Sequence, residues 1–225
     1  MEFLVAGYEI IDQEPGLEGM YKAAELPGRI CYCSQDKMAP GTAEKFCKGL
    51  MKSNHGAPLE HGTVYLKVLK HSDWNDLDKY RFNKYSKYAE STNYAYVTTN
   101  LRVLFENGWM DDLKYWCEPT EYHEKRIEVR FTVDRFTGEE FLRHRAASFN
   151  RESTRYVLFT KEKFGGGSIK YIIPVWMLDE TTMKEIDDHK DLSITDFCKE
   201  VINEEEGNGD MTDVLVWMFA LKACE

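Results

Sequence analysis

The chain has 225 residues, 43% of them hydrophobic and 30% charged, with a formal net charge of −10. That composition is expected of a soluble globular protein with one large domain or two small ones; no apolar run is long enough to cross a bilayer. The acidic balance argues against general nucleic-acid binding, which needs a broad basic surface.

In chain order, Met1 to Ala6 has no basic stretch and soon meets Glu9 and Asp12, so no secretory signal is expected and the expected compartment is the cytoplasm. Gly16 to Ala24 reads as a short helix ended by Pro27-Gly28, with Arg29 to Cys33 extended. An extended segment would place Cys31 and Cys33 on one face. The six cysteines, Cys31, Cys33, Cys47, Cys117, Cys198 and Cys224, form no Cys-x-x-Cys pair; free thiols and no metal site are expected. Ala43 to Ser53 fits a helix with Phe46, Cys47, Leu50 and Met51 on one stripe. His55 to His61 must turn, because Gly56 and Pro58 cannot continue that helix. Thr63 to Leu69 alternates as a strand, with Val64, Leu66 and Val68 on one face.

Residues 71–122 change character, being dense in Asp, Lys, Asn and Tyr. Tyr94 to Thr98 fits a short strand. Asn100 to Asn107 fits a helix closed by Gly108, and Met110 to Cys117 fits another. The aromatics here would suit base stacking, but at near-helical spacing core or subunit contact is the commoner use. The segment reads as an insertion packed on the domain or on a neighbouring subunit. Ile127, Val129, Phe131 and Val133 alternate with polar residues, predicting a strand with one buried face. Thr137 and Glu140 fit a capping box, with Phe136 and Phe141 at the staple positions. Beyond residue 153, Val157 to Phe159 and Ile169 to Val175 suit strands. Leu178 to Ile186, Ile194 to Glu204 and a helix capped by Thr212 suit helices. The glycine-rich run from Phe164 to Ser168 lacks the ending of a phosphate-binding loop. The expected fold class is α+β: one domain over residues 1–225, a mainly antiparallel sheet flanked by helices, with a helical insertion.

One stretch reverses the sign of the chain. Phe141 to Tyr156 carries Arg143, Arg145, Arg151, Arg155 and His144, opposed within it by Glu152 alone. Clustered positive charge in an acidic protein repels itself, and an anionic ligand relieves it. Arginine forks suit phosphate and carboxylate oxygens, two donors at a time. Ser148, Asn150 and Ser153 add neutral hydrogen-bonding groups. The plain alternative is a solvated basic face.

Arg143-His144-Arg145, then seven residues, then Ser153 with Arg155-Tyr156 following, resembles the signature of the flavin-dependent thymidylate synthases. Upstream, His55-Gly56-Ala57-Pro58-Leu59-Glu60-His61 resembles the same family's His-x-x-Pro-x-Glu-His element. The resemblance implies methylation of deoxyuridine monophosphate to thymidine monophosphate. Methylenetetrahydrofolate would supply the carbon as co-substrate and FAD, reduced by NADPH, the hydride. It also implies a homotetramer with sites between subunits; composition, for its part, leads us to expect no nucleic-acid or membrane partner. By motif, Arg143, His144 and Arg145 fall at flavin contacts, and Arg143 also at a nucleotide contact. Ala57 and Glu60 fall close to the cofactor. Glu140 stands where the family often has a nucleotide-binding Gln. Ser153, Thr154 and Arg155 fall in the loop that holds the substrate phosphate, with Arg151 and Glu152 beside it. His55 and Ser153 are the candidates for catalytic positions. Ser153 is expected to act as a nucleotide ligand, since no base or orienting acid accompanies it. A structural role beside Pro58 is the alternative for His55 and His61. The family's further C-terminal region, with its own arginines, is expected to be absent from this sequence. That expectation keeps a second function in view: a non-catalytic nucleotide- or flavin-binding or assembly module. A single-stranded RNA binder using the tyrosine-rich segment is a third reading.

Overall fold

The computed structural model describes residues 2–70, 77–144, 146–153, 170–174, 178 and 184. Strands β1 (Glu2–Val5) and β2 (Gly7–Ile11) lead into helix α1 (Gly16–Cys31) and helix α2 (Ala43–Lys52). A single 3₁₀ turn, Ala57–Glu60, connects to strand β3 (Thr63–Leu69). Strands β4 (Lys87–Glu90) and β5 (Tyr94–Asn100) follow, then helix α3 (Leu101–Asn107) and a 3₁₀ segment, Met110–Tyr115. Strand β6 (Glu128–Thr132), helix α4 (Arg135–Phe141) and strand β7 (Lys170–Ile173) come next, and two further 3₁₀ turns lie at Gln35–Lys37 and Lys79–Phe82. The class is α+β, as expected. The largest sheet has the antiparallel order β3-β5-β4. β2 pairs antiparallel with β6, and β1 runs parallel to β7.

Strand β3 follows its alternation. Val64, Leu66 and Val68 are buried against α1, α2 and α3 in a core that includes Met20, Ala24, Cys47, Leu50, Leu59, Val97, Leu101 and Leu104. Its other face is covered as well. Tyr65 packs on Trp116 and His123, and the Cys117 amide donates to the Tyr65 carbonyl at 3.0 Å. Residues 71–122, expected as an insertion packed on the domain, thus supply the central strand β5 and core positions of α3. Helix α3 closes at Gly108 as expected, with φ 69°, and its start is capped by the Asn100 side chain, which accepts from the Val103 amide at 3.0 Å. That left-handed conformation is one that glycine adopts without a Cβ penalty.

Several local expectations need correction. Helix α1 does not stop at Pro27-Gly28 but continues to Cys31 with Pro27 inside it. Tertiary contact outweighs the lost backbone bond, because Pro27 and Gly28 are buried. A Cβ on Gly28 would lie 2.6 Å from Phe46 Cε1, so glycine allows the close α1–α2 crossing. Cys31 and Cys33 are therefore not on a strand, and Cys33 sits at φ 44°. Met110 to Tyr115 winds as a 3₁₀ segment rather than an α-helix.

Helix α4 starts three residues earlier than expected. Asp134, not Thr137, is its N-cap, accepting from the Thr137 amide at 3.0 Å and the Thr137 hydroxyl at 2.6 Å. Those bonds, the hydroxyl first, hold the Asp134 carboxyl below its usual range. Phe136 then falls in the first turn and is exposed, while Phe141 stacks on Phe131 at 4.8 Å. The predicted buried face of β6 is also open: Ile127 is 63% and Phe131 46% exposed, beside Tyr8 at 73% and Ile10 at 58% on the paired strand. The strand expected at Val157 to Phe159 and the glycine-rich run lie outside the described residues. So do the helix expected at Ile194 to Glu204 and the one capped by Thr212, as does most of Leu178 to Ile186. Among the described residues, no helix is long and apolar enough to cross a membrane.

Candidate functional site

The turn after α2 carries the first motif. His55 is exposed at its start, with the Tyr32 hydroxyl 2.8 Å from its Nδ1 and the two rings roughly parallel at 6.5 Å. It borders an open groove of about 590 Å³ between α1 and α2, where Arg29, Lys45 and Phe46 form part of the lining. Arg29 lies over the Phe46 ring at 4.2 Å and is bound to buried Glu25 at 2.9 Å. Ala57 opens the 3₁₀ turn and is exposed, whereas Pro58 and Leu59 are buried and hold the turn to the core.

Glu60 and His61 end the motif, and both reach distant segments. Glu60 Oε1 accepts from Arg102 Nη1 on α3, and its Oε2 accepts from the Ser148 hydroxyl. His61 Nδ1 lies 3.1 Å from Glu128 Oε1 on β6. A carboxylate oxygen accepts, so in this contact Nδ1 is the donor. Among the described residues, Nε2 is buried without a hydrogen-bond partner, and so is Asn150 Nδ2.

The second motif descends from α4. Arg143 is 79% exposed and lies 3.3 Å from the Glu140 carboxylate one helical turn earlier. His144 is exposed, its amide donating to the Phe141 carbonyl at 3.0 Å. Arg151 Nη1 is 2.5 Å from Glu139 Oε1. Within the stretch Glu152 is the one acidic residue, but acids just outside it also face the arginines. Glu140 pairs with Arg143 as a neighbour three residues away, and Glu139 pairs with Arg151 across the loop after α4. Glu152 is exposed and sits in the electrostatic field of Cys33; burial, first, and that carboxylate push the Cys33 thiol up to about 11. Ser153 is half-buried, and its amide donates to the Cys31 carbonyl at 3.2 Å. Burial raises the Cys31 thiol, and nearby Arg151 partly offsets this. Arg145, Thr154 and Arg155 lie outside the described residues.

Three contacts therefore join the motif segments and their supports: Glu60 to Ser148, His61 to Glu128, and Cys31 to Ser153. Arg102, Glu128, Glu139 and Ser148 are the participants that reading by motif did not assign. Glu139 had a local signal, since its helix turns directly into the arginine loop. Arg102 and Glu128 had none, because their partners lie 42 and 67 residues away.

Compared with known proteins, residues 117–207 match the family model described as Thy1, thymidylate synthase complementing protein. The match covers under half of the chain and includes the arginine-rich signature, while the His55–His61 motif falls outside it. That part of the chain is similar to a thymidylate synthase family. No curated protein and no solved structure matches the chain.

Proposed function

We propose that this chain is a flavin-dependent thymidylate synthase, methylating deoxyuridine monophosphate with methylenetetrahydrofolate as carbon donor and FAD and NADPH as redox partners. The observation that carries the reading is the convergence of the two motifs. Glu60 of the upstream element accepts from Ser148 in the loop after Arg143 and His144, although 88 residues separate them. The similarity of residues 117–207 to thymidylate synthase complementing proteins supports the same class.

The donor set suits an anionic dinucleotide and a nucleotide. Arg143 and Arg151 stand at the surface on weak, solvent-screened pairs, which a phosphate can replace with bidentate bonds. Arg145 and Arg155 would add to this cationic set by motif. Glu140 and Glu152 flank the nucleotide positions. Ser153, Thr154 and Arg155 would grip the substrate phosphate, with Ser153 as a ligand rather than a nucleophile. His55 and Ala57 would border the flavin and folate. When bound, the flavin supplies the hydride chemistry; the protein's part is to orient the partners and stabilise their charge. The reading includes assembly as a homotetramer with sites between subunits.

Titrating FAD into the purified chain should shift the flavin spectrum, and adding substrate, folate and NADPH should yield thymidylate. Arg143→Ala should weaken FAD binding, and Arg155→Ala should weaken deoxyuridine monophosphate binding. Each effect should be about tenfold, the scale of one charged hydrogen bond. Absence of flavin uptake, or unchanged titrations for both variants, would remove the assignment. Nucleotide binding without thymidylate formation would favour the non-catalytic module instead.

A further inference from the structure

Arg102 belongs to neither motif and lies outside the residues that match the family model. It sits in the first turn of α3, whose backbone is held by the Asn100 cap and by buried Leu101, Val103 and Leu104. Its Nε is 2.7 Å from Glu106 Oε1, and its Nη1 donates to Glu60 Oε1. The bond from Glu106, first, and the one from Glu60 raise the guanidinium's pKa, so it stays charged. A Cβ on Gly56 would lie 3.0 Å from Arg102 Nε, so the motif backbone runs close along this side chain. Glu60 therefore has a separate donor on each oxygen: Arg102 on Oε1 and Ser148 on Oε2.

We infer that Arg102 is a positioning residue for the site. It fixes the Glu60 carboxylate so that Oε2 faces the arginine-rich loop and docks it through Ser148. It also offsets a negative charge that would otherwise oppose the anions drawn by Arg143 and Arg151. The plain alternative is a surface pair with Glu106 at i,i+4, which stabilises a helix by only tenths of a kcal/mol and would leave the loop unaffected. The loop-docking claim rests on the contacts alone, and the charge claim rests on the function proposed above.

The test uses the full chain and the variants Arg102→Ala, Arg102→Lys, Glu106→Gln and Arg102→Ala/Glu60→Gln, with thermal melts to show that each folds. Hydrogen exchange without ligand should become several-fold faster across residues 146–153 in Arg102→Ala, including the Ser153 amide. In Glu106→Gln it should match the unaltered chain. Unchanged exchange in Arg102→Ala, or equal acceleration in Glu106→Gln, would overturn the docking claim. FAD and deoxyuridine monophosphate affinities should fall about tenfold in Arg102→Ala. Part of that loss should return in the double variant, where the uncompensated carboxylate is gone, and Arg102→Lys should fall between. A double variant no better than Arg102→Ala would refute the charge claim. If the unaltered chain binds neither ligand, the proposed function fails while the exchange result still decides the docking claim. Should Arg102→Ala fail to fold, Arg102→Lys carries the same exchange comparison, since it keeps the charge but not the two-donor fork.

Discussion

Strands β3 and β6 carry the same kind of alternating sequence and meet different fates. Val64, Leu66 and Val68 of β3 are buried beneath three helices, while Phe131 of β6 and Tyr8 and Ile10 of its partner face outward. Around β3 lies a buried apolar core; around β6 lies a two-stranded arm whose aromatic side chains Tyr8, Phe131 and Phe136 are exposed. Glu60 and His61, at the end of the upstream motif, reach Ser148 and Glu128. Alternation reports that one face of a strand is apolar, not what covers it. A two-stranded ribbon cannot close a core by itself, and an open face of this kind is where partners and ligands act.

The sharpest way to break this contrast is to truncate one residue on each strand. Leu66→Ala should cost about 2–5 kcal/mol in denaturant unfolding, since a fully buried leucine leaves a cavity. Phe131→Ala should cost about 1 kcal/mol, mainly its stack on Phe141. Equal losses would mean that the ribbon belongs to the same cooperative core.

Next in size is the cap of the arm's helix. Asp134→Ala should cost about 1 kcal/mol by removing both bonds to Thr137. The change should appear as faster hydrogen exchange in residues 135–141 while the amides of β3 and β5 keep their protection. Loss of protection in both regions would contradict the separation of arm and body.

The smallest expected effect is a pH dependence confined to the body. His123 Nδ1 accepts from the Thr120 amide at 3.0 Å, and its Nε2 faces the Leu66 carbonyl at 3.2 Å, so the ring is neutral with its proton on Nε2. Burial, first, lowers its pKa below the usual histidine value of 6.5. A folded-state pKa below the unfolded one gives stability that is complete above about pH 6.5 and lost as pH falls through the folded value. Melting temperature should thus decline on acidification from pH 7.5 to 5.5, and His123→Gln should flatten that decline. An identical pH slope in the variant would exclude His123 as its source.

Much of the chain was legible where the cause is local. The Thr63–Leu69 strand, helix α2 and helix α3 with its Gly108 stop follow from periodicity and backbone sterics within a few residues. The arginine signature was equally legible, because charge composition needs no fold to be seen. Local rules failed where a distant contact overruled them. Pro27 and Gly28 should end a helix, yet packing against Phe46 carries α1 through them.

From residue order alone came the class of fold, the apolar stripes, the two motifs and the chemistry they suggest. Tertiary structure alone decided that Glu60 takes its donors from positions 42 and 88 residues away, and that β6 turns its apolar face outward. The physical reason is range. Dihedral preferences and one-turn neighbours are written into adjacent residues, whereas a carboxylate's distant partners are settled only when the chain closes around a common core.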